Sequence, residues 1–133
     1  MRVMELSVMV TALLGAGAAL HTTSAKQQGI TRIDLQRHEL DVPGREVIQV
    51  RVSFAPGAAF GRHRHPGEEI IYVLEGSLEY EIEGKPPVTL KAGEVLFIPT
   101  GAIHSARNVG PVKAAELATY VVEKEKPLVE LVK

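Results

Sequence analysis

The chain predicts an all-β domain, a sandwich or a barrel. Three observations carry this. Apolar and polar residues alternate with period two in several short runs. Turn signals built on Gly and Pro separate those runs at intervals of about 8 to 12 residues. Beyond Lys26 no stretch keeps a 3.6-residue apolar period.

The elements follow in order. In residues 47–54 (VIQVRVSF), Ile48, Val50, Val52 and Phe54 share one face, and Gln49, Arg51 and Ser53 share the other. Residues 69–74 (EIIYVL) are apolar or aromatic from Ile70 onward, so that strand is expected to be covered on both faces. In residues 77–83 (SLEYEIE), Leu78, Tyr80 and Ile82 alternate with glutamates that mark a solvated face. Residues 95–98 (VLFI) and 115–122 (AELATYVV) are further β-rich runs. The tail, residues 124–133, turns apolar at Leu128, Val129, Leu131 and Val132, which suits a closing strand or an oligomer contact. Gly76 permits a hairpin between Leu74 and Leu78, and Pro99 with Gly101 makes a tight bend.

Composition bounds the function. The chain has 133 residues, enough for one domain. Basic and acidic residues nearly balance, 15 against 16, so nothing argues for nucleic acid or an acidic membrane surface. The absence of Cys excludes disulfides, thiolate metal sites and Cys nucleophiles.

The first 25 residues read differently. Residues 6–20 (LSVMVTALLGAGAAL) carry no charge, and HTTSA precedes Lys26. This resembles a secretory signal cut after Ala25, leaving residues 26–133 as one mature domain in the periplasm or outside the cell. The apolar run of 15 residues is short of the ~20 that span a membrane. Its single Arg2 is offset by Glu5, so the alternatives are a packing helix or a start codon assigned too early, and a cytoplasmic protein.

Four residues carry the chemistry: His63, His65, Glu69 and His104. Three imidazoles and a carboxylate form a ligand set for a divalent transition metal. Residues two apart on a strand point the same way, so His63 and His65 present both rings to one side. Glu69 shares their parity and is favoured over its rival Glu68, although Pro66 and Gly67 bend the chain between them. The bend at Pro99 and Gly101 aims His104 inward from a distant strand. Asn108 shares the parity of His104 and is placed to support it by a hydrogen bond. His38 has no partners in sequence and reads as a surface residue, and His21 falls in the signal segment.

Residues 57–76 have the spacing G-x5-H-x-H-x3-E-x6-G, and residues 93–108 have G-x5-P-x-G-x2-H-x3-N. This pair of motifs, 16 residues apart, resembles that of the cupin superfamily, in its small single-domain bacterial form. The resemblance implies a double-stranded β-helix, a jelly-roll barrel of six to eight strands open at one end. It implies one divalent metal ion, Mn, Fe, Ni, Co, Cu or Zn, on His63, His65, Glu69 and His104. It also implies a homodimer, formed by pairing sheets or exchanging terminal strands.

Three functions fit. The first is an enzyme, with Glu69 as a shifting ligand or proton acceptor, and the resemblance implies dioxygenase-, isomerase- or lyase-like chemistry on a small oxygenated organic molecule. The second is a non-catalytic module that binds a small molecule. The third is a metal-binding or assembly protein. The expected substrate pocket is mostly apolar and draws on Phe60, Ile71, Val73 and Tyr80, with Tyr80 equally readable as a core aromatic. Arg62 and Arg64 have the outward parity. With so few inward cations, a large sugar phosphate is not expected.

Overall fold

The computed structural model describes residues 28–133. The expected signal segment and His21 lie outside these residues. Among the described residues every regular element is a strand.

Ten strands build two antiparallel sheets: β1 (Ile30–Glu39), β2 (Arg45–Phe54), β3 (Ala59–Arg64), β4 (Gly67–Glu75), β5 (Ser77–Ile82), β6 (Val88–Lys91), β7 (Val95–Ile98), β8 (His104–Asn108), β9 (Ala114–Glu123) and β10 (Glu130–Leu131). One sheet runs β1-β2-β9-β4-β7 and the other β10-β3-β8-β5-β6. This is the jelly-roll arrangement, with more than the six to eight strands implied by the motifs. The surplus lies at the chain's ends: β1 extends one sheet at its edge and β10 extends the other.

Period-two alternation decides what goes inside. In β2, Ile48, Val50, Val52 and Phe54 are buried, as the pattern predicts. In β5 the same holds for Leu78, Tyr80 and Ile82. The β2 face continues in its own sheet through Ala118, Tyr120 and Val122 of β9 and Ile71 and Val73 of β4, and the β5 face joins the same core from the other sheet. Each fully buried Val, Leu, Ile or Phe contributes about 1.5–3 kcal/mol, and a charge at Val50 or Val52 would break the core.

Two expectations are corrected. β4 is not covered on both faces: Ile71 and Val73 are buried, while Ile70 and Tyr72 are each 46% exposed. Their outward neighbours across the ladder, Phe97 and Val95, are exposed as well, so no second layer lies over that face. Nor does Gly76 make a hairpin, because β4 and β5 belong to different sheets. Gly76 turns the chain from one sheet to the other, with φ at +71° and no room for a Cβ beside Ala114.

The sequence pattern does not mark β1. Residues 31–39 are exposed, and β1 is held only along β2, with a bulge at Leu35. Its charged residues and bulge suit an edge strand that must not pair further.

Candidate metal centre

The cradle is assembled by strand register. His63 faces His104 directly across the β3–β8 ladder, with ring centroids 4.1 Å apart. Glu69 sits on β4 opposite Tyr120 and Ile98. His65 lies just past β3, its ring edge-on to Tyr120 at 4.8 Å. The bend predicted at Pro99 forms: the Ala102 amide donates to the Pro99 carbonyl at 3.1 Å, with Gly101 at φ +73°. All four residues are buried, and their ligand atoms lie within 4.8 Å of one another.

Backbone carbonyls set the imidazoles. Nδ1 of His63 lies 2.6 Å from the Gly61 carbonyl, that of His65 2.7 Å from Leu128, and that of His104 2.8 Å from Ala102. A carbonyl can only accept, so in each ring the proton sits on Nδ1 and donates outward. The Nε2 lone pairs are left pointing into the barrel. Nε2 of His104 is 2.9 Å from Oε2 of Glu69, and Nε2 of His65 is 3.0 Å from the same oxygen. The His65 atom is buried with no hydrogen-bond partner. Four buried ligand atoms thus converge on one point. This donor set fits a divalent transition metal, and imidazoles fixed by outer carbonyls are the usual way such ligands are oriented.

Burial, then the neighbouring His104, pushes His63 down to about 3, so its imidazole is neutral. Burial alone would raise Glu69. Hydrogen bonds from His104 and His65 outweigh it and bring the carboxyl to about 2, which takes a proton on their Nε2 atoms that a bound metal ion would displace.

The other residues singled out in the sequence fall as follows. Phe60 and Tyr80 line the cavity beside the cradle. Phe60 is buried, edge-on to His63 at 4.4 Å. Ile71 and Val73 lie in the core and outside that cavity's lining. Glu68 points outward to Arg45 at 3.3 Å. Arg62 and Arg64 pair with Glu83 and Glu130 on the surface. His38 is exposed. Asn108 does not reach His104. Its amide donates to the carbonyls of Phe54 and Val112 and its oxygen accepts from Gly110, which braces the turn after β8.

The expectation of an almost wholly apolar interior is corrected by three residues. Glu116 on β9 is buried and accepts a hydrogen bond from the Tyr80 hydroxyl. Tyr120 and Arg32 line the same cavity. Burial, then the charge of Glu69, raises the Glu116 carboxyl to about 8. Burial raises both tyrosines. The signal for Glu116 was present: it shares parity with Ala118, Tyr120 and Val122 and is the lone charge on an apolar face. Arg32 had no signal, since β1 has no periodicity.

Known proteins share this arrangement in part. The oxalate-binding protein of Thermotoga maritima is 38% identical over 73 residues, covering 54% of this chain and 60% of that protein. Oxalate oxidase in complex with the substrate analogue glycolate superposes with a TM-score of 0.62 at 29% identity, over 78% of this chain and 55% of the other. The dimethylsulfoniopropionate lyase DddQ of Ruegeria pomeroyi is 41% identical over 52 residues, 39% of this chain and 26% of that protein. Its crystal structure superposes with a TM-score of 0.60 at 29% identity, covering 65% and 43% of the two chains. The chain therefore spans less than two thirds of each of these relatives. Residues 50–122 match the cupin domain family Cupin_2, and this chain, with its two-sheet barrel and buried His–Glu cradle, belongs to that family.

Proposed function

We propose that the protein is a metal-dependent enzyme acting on a small oxygenated organic molecule. The cradle carries this reading: four buried ligand atoms, three of them on rings oriented by backbone carbonyls, sit beside a small internal cavity. Bound there by His63, His65, Glu69 and His104, a divalent transition metal supplies Lewis acidity or an electron relay to a substrate oxygen. The chain's own residues fix the tautomers, exclude water and set the polarity of the opposite wall. The free space beside the cradle is about 10 Å³, near the room one water needs, which favours a compact substrate. Relatives named for oxalate and dimethylsulfoniopropionate, one of them holding the substrate analogue glycolate, support a carboxylate-bearing molecule.

The experiment is reconstitution with Mn, Fe, Ni or Zn and incubation with small carboxylates, 1,3-dicarbonyls, phenolics and sugars, reading oxygen uptake and product mass. Turnover with any one metal supports the enzyme. Binding without turnover in every form favours the second reading, a non-catalytic module, for which the oxalate-binding relative is the precedent.

Two further proposals concern where and how it works. Export rests on residues 1–25, and a fused reporter active only outside the cytoplasm should light up; a silent one rejects it. Self-association as a homodimer rests on the apolar face of Ile70, Tyr72, Val95 and Phe97. Sedimentation should show a dimer that Phe97→Glu weakens, and a wild-type monomer at high concentration rejects it.

A further inference from the structure

Seven arginines lie among the described residues. Six are held by a carboxylate, from Arg37 on Glu46 to Arg107 on Glu79. Arg32 is in none of these ion pairs, and it is the arginine that faces inward. It sits opposite Val52 in the β1–β2 ladder, and Val52 is 1% exposed. Residues directly opposite in an antiparallel pair share a face, so Arg32 points toward the barrel interior. There it lines one cavity together with His63, Glu69 and His104 of the cradle and with Tyr80, Glu116 and Tyr120 of the other wall.

The same row of the sheet runs from Arg32 through Val52 to Glu116. The Arg32 guanidinium opposes the rise of both Glu116 and Tyr120, which places its charge close to them. Arg32 itself remains exposed, on a strand held only along β2. It thus joins solvent to the cavity. The cavity as it stands has room for about one water, so a larger ligand enters only if Arg32 gives way. An edge strand held along one side can yield at low cost.

We propose that Arg32 is the anion-recognition residue of this cavity, taking the carboxylate of a small organic acid whose remaining oxygens reach the His–Glu cradle. This rests on the cradle being a small-molecule site. Tyr120 and Glu116, the latter fixed by Tyr80, hold the guanidinium at the mouth until the ligand's carboxylate replaces them. A planar guanidinium grips a carboxylate with two parallel hydrogen bonds, which an ammonium cannot reproduce.

The test is calorimetric titration of metal-free and metal-loaded protein with oxalate, glycolate and the neutral glycolamide. Wild type should prefer the two acids. Arg32→Gln should bind them about 10- to 100-fold more weakly, as expected for loss of a charge-assisted pair. Arg32→Lys should recover only part, the surface variant Arg107→Gln should match wild type, and metal content should be equal in all. Acids bound through Arg32 without turnover of any substrate would support the inference while the enzyme reading fails. Wild-type affinity in Arg32→Gln overturns the inference. So does a metal-loaded wild type that turns over a neutral substrate and binds neither acid.

Discussion

Nε2 of His104 lies 2.9 Å from Oε2 of Glu69, while its own Nδ1 is held by the Ala102 carbonyl at 2.8 Å. With the proton fixed on Nδ1, two acceptors face each other in a buried site. Such a pair is relieved by a metal ion between its members or, without one, by a second proton on the imidazole. Protein purified without chelator should carry about one transition metal per chain. His104→Ala and His63→Ala should fall below about a tenth of that, since a three-ligand remnant with a buried carboxylate holds metal poorly. Unchanged metal content in either variant sinks the assignment.

The chain's tail belongs to the site. The Leu128 carbonyl accepts from Nδ1 of His65, and Leu131 pairs with His63 through β10. Ending the chain after Lys126 should cost roughly 10- to 100-fold in metal affinity, as loss of an outer partner to a ligand usually does. Circular dichroism should retain the β signal. A folded truncation with wild-type affinity would remove the tail from the site.

Without metal, the protein should be acid-labile. His63 titrates at about 3 folded against 6.5 unfolded, and Glu69 at about 2 against 4.5. Both folded values are depressed, so the unfolded chain takes up protons first. Stability is full above pH 6.5 and is lost as pH falls toward 3 and then 2. At about 1.4 kcal/mol per unit, His63 alone contributes several kcal/mol to that slope. Melting curves of metal-free His63→Gln should be flatter between pH 6.5 and about 3 than those of wild type; parallel curves refute this.

Glu116 acts in the opposite sense. Its carboxyl is raised to about 8 from 4.5, so the folded chain keeps a proton that the unfolded chain releases. Stability falls as pH rises from 4.5 through 8 and then levels. Glu116→Gln keeps an acceptor for Tyr80 and cannot ionise. Its Tm relative to wild type should therefore be higher at pH 9 than at pH 5, both measured without metal. An equal difference at the two pH values would show that burial does not hold that proton.

Gly67, between His65 and Glu69, is fixed by backbone contact. A Cβ there would lie 2.0 Å from the Val121 carbonyl oxygen and 2.6 Å from Cα of Val122. Neither neighbour is a flexible side chain, so β4 would have to part from β9. Gly67→Ala should cost more than about 3 kcal/mol, or prevent folding, where an ordinary surface change costs under about 0.5. Chemical denaturation checks this, and a variant as stable as wild type would mean that the two strands separate freely.

Where side chains repeat with period two, the sequence was legible. Val50, Val52, Leu78 and Tyr80 are buried where alternation puts them, because the pleat assigns faces without reference to distant residues. Gly76 shows the limit. Its turn was legible, yet whether β4 and β5 pair across it depends on which neighbours compete for their edges. β9 and β7 take those of β4, while β8 and β6 take those of β5.

The sequence by itself determined the all-β class, the four cradle residues and the preference for Glu69 over Glu68, since motif spacing and strand parity are local properties. Only the tertiary structure decided that all three imidazoles are locked by backbone carbonyls and that the tail, through the Leu128 carbonyl, braces the cradle. It alone placed Glu116 and Arg32 on the facing wall. Several of those relations join residues far apart in sequence, 63 positions between His65 and Leu128. Contacts of that range are set by how strands close the barrel, and no local period encodes them.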